Sequence, residues 1–216
     1  MPGQPMRAVA AQVMLAVEQG QSLAQCLTPA LNRLPEQERP ALQALCFGTC
    51  RWFFRLDGEL QNRLSRPLKK ADRVIHQLML VALFQLRYSQ QASYAVLNET
   101  VEACRALDRP HLTGLVNAVL RAAEREGEPS TENEPRLYAH PPWMVEKLRH
   151  NWPDDWQAVL AANNTQAPMT LRVNAKRFSR EDYQDVLAKA GIHAQPTPFA
   201  PFGLQLADPV PVDRLP

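Results

Sequence analysis

Glycine is scarce in this chain. Only eight occur in 216 residues, and no two stand closer than ten residues apart. A loop that wraps backbone amides around a phosphate or a dinucleotide needs them clustered, so no such loop is expected. Cysteine is equally sparse: Cys26, Cys46, Cys50 and Cys104 show no C-x-x-C spacing. A structural zinc takes about four ligands in short paired spacings. The five histidines are scattered, so no metal site is expected. Long apolar runs are missing too. The longest charge-free one, Val74 to Leu86, holds His76, Gln77 and Gln85, too short and too polar to span a bilayer. The start, with Pro2 and Pro5, shows no apolar stretch followed by a small-residue cleavage site. These absences together point to a reduced, soluble, cytoplasmic chain with no membrane partner.

Charge of one sign is not in excess either. The net charge is +2 and the pI about 8.4, which permits nucleic-acid binding without demanding it. Its distribution is more telling. Residues 63–73, "RLSRPLKKADR", carry five cations and one anion; residues 172–180, "RVNAKRFSR", carry four cations and no anion. Either run is compatible with a solvated face or with a phosphate-contacting surface.

What the chain has is apolar content, 45% of residues, arranged mostly at helical period. Met6 to Glu18 has good helix formers, and Gly20 is placed to end that helix. Ser22 can cap a short second helix that Pro29 should interrupt. Residues 36–64 read as one long helix or two abutting ones. Ala71 to Tyr88 is apolar on nearly every side between Leu78 and Leu86, as in the central helix of a bundle. Ala92 to Leu107 and Thr113 to Glu124 are amphipathic. The first domain, 1–126, is therefore expected to be all-α. A polar linker is expected over 127–139, with "GEPSTENEPR" at its core. Two short helices should follow, after "HPP" at 140–142 and after Pro153. The period then changes to two: "MTLRVN" (169–174) alternates with Leu171 and Val173 on one face. Ser179 should cap a helix ending at Gly191, and "FGLQL" (202–206) reads as a second strand. Residues 140–206 are thus a helical connector plus a small α/β region. The Pro-rich tail, 207–216, has no closing element. A sheet with so few strands rarely stands alone, so continuation into a further domain is expected.

The stretch "LCFGTCRWFFRLD" (45–57) admits several readings. On one helix, at ~100° per residue, Leu42, Leu45, Cys46, Thr49, Phe53, Leu56 and Leu60 share a broad face. Cys46 is then a core residue. A Cys46–Cys50 disulfide would staple adjacent turns and constrain little. Phe47 and Phe54 point away from that face, beside Arg51. They could stack on bases, but in a bundle another helix is expected to cover them.

The segment "RVIHQLMLVALFQLRY…VLNETVEACRALDRPHLTGLVNAVLR" (73–121), with "FGTCRWFFRLD" before it, resembles the NusB family of RNA-binding helical domains. "AHPPWMVEKL" and "ANNTQAPMTLRVN" extend the likeness to the N-terminal region of bacterial ribosomal RNA cytosine-5 methyltransferases of the Sun/Fmu (RsmB) type. The fold this resemblance implies is mainly α: a NusB-like helical bundle, then a small, partial α/β region like an RNA-recognition motif. It implies RNA, in particular small-subunit rRNA, as partner. It also implies S-adenosylmethionine as cofactor of a catalytic domain, with a cysteine thiolate adding to the cytosine. The family's "D-x-C-A-A-P-G-G-K-T" loop and its cysteines in "P-C-S" and "T-C-S" contexts do not occur in this chain. No catalytic and no cofactor-binding residue is therefore assigned within 1–216, and this chain alone should be inactive.

The RNA-contact candidates are Arg7, at a position where NusB-like domains carry a basic N-terminal patch; Lys69, Lys70 and Arg73, before the central helix; and Arg172, Asn174, Lys176 and Arg177, on or just after the "LRVN" strand. Arg172 could instead be held in a salt bridge. The competing functions are a stand-alone NusB-like RNA-binding or antitermination protein, and a protein scaffold.

Overall fold

A computed structural model describes residues 4–128 and 133–216. They form two compact units, Met1–Asn164 and Thr165–Pro216.

The first unit is helical. In chain order it contains α1 (Met6–Glu18), α2 (Leu23–Leu31), α3 (Arg39–Arg51), α4 (Phe53–Arg63), α5 (Arg73–Tyr88), α6 (Ser93–Ala106), α7 (Thr113–Glu126), α8 (Glu134–Leu137), α9 (Pro142–Asn151) and α10 (Trp156–Asn163). The unbroken apolar run of α5 has the expected consequence: Ile75 and every residue from Leu78 to Leu83 are fully buried. Helices α1, α3, α4, α6 and α7 all pack around it. Each leucine so buried stabilises the fold by about 1.5–3 kcal/mol. Helix α1 is buried on two sides. Ala8 and Ala11 join a core made with α4 to α7, while Val9, Ala10, Val13 and Met14 join a second core with α2 and α3. A smaller cluster of Val145, Trp156 and Leu160 ties α9 to α10.

Local chemistry explains the helix ends. Ser22 Oγ accepts from the Gln25 amide at 3.3 Å. Gly20 has φ +96°, a left-handed conformation that glycine adopts without strain. Pro29, expected to interrupt α2, lies inside it. The one hydrogen bond it forfeits would have ended on the carbonyl of exposed Gln25, where water can replace it. Residues 39–63 form two helices, broken at Trp52 (φ −99°, ψ 11°). The break divides the expected apolar face between two cores: Leu42, Leu45 and Cys46 enter one, Leu56 and Leu60 the other. The expectation that a helix covers Phe47 and Phe54 is overturned, since they are 47% and 37% exposed. The expected linker 127–139 includes residues 129–132, which lie outside the described residues; Glu134–Leu137 is a short helix.

The second unit contains β1 (Thr170–Arg172), α11 (Arg180–Lys189), β2 (Ala194–Pro196) and β3 (Gly203–Leu206). The sheet is antiparallel in the order β1-β3-β2, with Leu171 and Pro196 flanking Leu204. Its core is Val173, Leu187, Leu204 and Leu206. The tail returns to this core, where Val210 and Leu215 pack. Two strands were expected and β2 is a third. The division at 164/165 also groups α9 and α10 with the helical unit, whereas the sequence reading placed them with the α/β region.

Candidate nucleic-acid interface

Strand β1 lies at the sheet edge. Period-two geometry sends Val173 into the core and leaves Thr170 and Arg172 exposed. The register aligns Thr170 with Gln205, and Gln205 with Gln195, so a polar row crosses all three strands on the solvent face. Arg172 stands opposite Gly203, which has no side chain to crowd it.

A tight turn follows β1. The Lys176 amide donates to Asn174 Oδ1 at 3.1 Å, and the Arg177 and Phe178 amides donate to the Asn174 carbonyl at 2.9 and 3.1 Å. Asn174 thus builds the turn that displays its neighbours, and its carboxamide oxygen is already engaged. Arg172, Asn174, Lys176 and Arg177 are all exposed. Arg172, Lys176 and Arg177 form no ion pair among the described residues. Arg180, by contrast, pairs with Glu181. Helix α11 begins at once: Ser179 Oγ accepts from the Asp182 amide at 3.0 Å.

In the helical unit the candidates part company. Arg7 is not on the surface. It is 2% exposed, donates to Gln85 Oε1 at 2.7 Å and Gln91 Oε1 at 3.0 Å, and pairs with Glu99. It fastens α1 to α5 and α6 and presents no charge to a phosphate, which corrects the expected N-terminal contact. Arg73 pairs with Glu18, which also accepts from Gln77 Nε2 at 2.9 Å. Lys69 and Lys70 are exposed, at the short turn that leads into α5. Arg66 and His111, not singled out by sequence, join Lys69 in lining a cleft of about 350 Å³. Spacing could not have revealed His111, because only the fold brings the turn before α7 beside residues 66–69.

Other chemistry finds little support. Among the described residues, no group of three or more His, Cys, Asp or Glu is placed to hold a metal. No helix among them is long and apolar enough to cross a membrane. Burial pushes the Cys46 thiol up to about 12, helped by Cys50 and Cys26. Burial likewise pushes Cys50 up to about 11 and raises Cys104. A thiol must ionise to attack, and burial disfavours that in all three.

A family model described as the NusB family matches residues 4–125, more than half of the chain. The chain belongs to the NusB family. Its NusB portion ends with α7, and a second family model, described as the RsmF/B-like methyltransferase ferredoxin-like domain, matches residues 140–213. Ribosomal RNA small subunit methyltransferase B of Klebsiella pneumoniae (strain 342) is 38% identical over 216 residues, covering 98% of this chain and 50% of the relative. The protein of that name from Yersinia enterocolitica is 40% identical over 215 residues, with the same coverage. The chain spans about half the length of the curated relatives it matches. The crystal structure of PH0851 superposes with a TM-score of 0.66 at 16% identity, over 99% of this chain and 50% of that one; at that identity the likeness concerns the fold. The expected mainly-α, NusB-like bundle with a small α/β region is the fold found.

Proposed function

We propose that this chain is the RNA-holding portion of an S-adenosylmethionine-dependent methyltransferase acting on cytosine C5 of small-subunit rRNA in the cytoplasm. The observation that carries the reading is the run of exposed cations, without ion pairs among the described residues, on and after β1: Arg172, Lys176 and Arg177. The relatives' name, and their match to both units, support rRNA as the polymer held. Residues 1–216 do not fit S-adenosylmethionine. They hold no glycine cluster, and they offer the cytosine no ready nucleophile, since burial raises the Cys46, Cys50 and Cys104 thiols. Methyl transfer is therefore assigned outside these residues. Isothermal calorimetry should show no stoichiometric cofactor binding by this chain, and a clear binding isotherm would refute that assignment.

A protein-docking reading has one observation in its favour. Exposed Phe54 borders an apolar hollow of about 290 Å³ with Met14, Val17 and Cys50. Retention of 16S rRNA fragments across a salt series separates the two. Phosphate contacts release counterions, so log K should fall linearly with log salt, with slope about −0.7Z on a single strand for Z neutralised phosphates. Salt-independent retention, or none, would favour the docking reading.

A further inference from the structure

Phe178 has an environment the cation run does not explain. It is 41% exposed and stands outside the buried cluster of the second unit. It sits just before the capping residue Ser179, and its ring lies 5.6 Å from that of Tyr183, tilted by 44°. This is the apolar contact that sets the entry angle of a helix. It holds the ring in place and leaves much of it free. Tyr183 is itself anchored, its hydroxyl donating to the Pro216 carbonyl at 3.0 Å. The ring lines a cleft of about 310 Å³ together with Arg172, Asn174 and Arg177. An anchored aromatic ring and two guanidinium groups lining one cleft suit a base with its adjoining phosphates.

We infer that the cleft between β1 and the start of α11 is a subsite for one unpaired RNA nucleotide, with Phe178 stacking on the base and Arg172 and Arg177 meeting the flanking phosphates. This rests on the RNA-holding reading and narrows it to unpaired RNA at this site. Within a duplex the base faces are stacked on one another and are not offered to Phe178. Every base has a face to stack, so the subsite takes any base, with at most a modest preference.

The test uses the whole chain, an eight-nucleotide single-stranded RNA and its duplex, over a salt series. Phe178→Leu keeps an apolar contact for Tyr183 but removes the aromatic face. It should weaken single-strand binding roughly 5- to 100-fold, leaving duplex binding and the salt slope unchanged. Phe178→Trp should retain affinity. Arg177→Glu should instead flatten the slope. If wild-type binding is salt-dependent and Phe178→Leu binds the single strand as tightly, the subsite is wrong while the RNA-holding reading stands. If the wild-type chain binds no RNA, both fail. Should Phe178→Leu not fold, photocrosslinking of 5-iodouridine RNA to the wild-type chain decides. Crosslinks on the peptide containing Phe178 support the subsite, and crosslinks confined elsewhere overturn it.

Discussion

Arg7 shows how much one side chain's surroundings decide. A basic residue at the start of a surface helix would serve RNA; the same residue buried between three helices serves the fold. Arg7→Ala deprives buried Gln85 of its 2.7 Å donor and should lower stability by about 1–3 kcal/mol, read by urea denaturation, while the salt slope of RNA binding stays as in wild type. Glu59 is the sharper case. It is buried, accepts from Arg87 at 2.5 Å and pairs with Arg63 at 3.3 Å. Glu59→Ala would leave Arg87 with only the Ala123 and Gly127 carbonyls, at 2.8 and 2.7 Å, and no counter-charge among the described residues, and a loss of about 3–5 kcal/mol is expected. Cys46 is fully buried, so Cys46→Ser, which adds a poorly satisfied hydroxyl, should lose about 1–3 kcal/mol. Its pH dependence follows from the raised thiol. The folded state keeps Cys46 protonated up to about 12 while the ordinary value is 9.0, so the unfolded chain ionises first. The contribution is intact below pH 9, declines above it and is lost by about pH 12. Melting temperatures should fall more steeply over that interval for wild type than for Cys46→Ala.

At the scale of elements, legibility followed the strength of the apolar pattern. Helix α5 could be read because one long stretch is apolar all round, and a buried helix leaves little else to choose. Helix α1 matched the expected bounds because Gly20 marks its end. The second strand of the sheet, β2, was not legible. It has three residues, Ala194–Pro196, a proline at its end, and no apolar alternation of its own; it pairs because β3 is beside it. The exposure of Phe47 and Phe54 was also hidden, since it depends on which helices neighbour α3 and α4. Gly48 is the converse. Its sequence context says nothing, yet a Cβ there would run into the Phe84 ring of α5. Gly48→Ala should force α3 and α5 apart or Phe84 aside, at about 1–3 kcal/mol, measurable as a lowered denaturation midpoint. In the candidate interface, the cation-rich "RVNAKR" run could be read from sequence. The Asn174 turn could not, because it is backbone geometry rather than composition, and the Phe178–Tyr183 contact, though its spacing about Ser179 was there to be read, gave no sign of how much of the ring stays exposed.

At the scale of the whole molecule, two units each bring exposed cations that form no ion pair among the described residues: Lys69 and Lys70 in the helical one, Arg172, Lys176 and Arg177 in the α/β one. Their use by RNA is the claim on which the functional account turns. The direct measurement is the log–log salt dependence of binding to a 16S rRNA fragment, made on wild type, on Arg172→Glu/Lys176→Glu/Arg177→Glu, and on Lys69→Glu/Lys70→Glu/Arg73→Glu. None of the first three side chains is in a core, so that variant should fold, whereas loss of the Arg73–Glu18 pair makes the second somewhat less stable. The account predicts weaker binding and a flatter slope for the α/β variant, and a further loss for the helical variant if one RNA reaches both units. Two folded variants with the affinity and slope of wild type would show these cations to be solvated faces, and would contradict it.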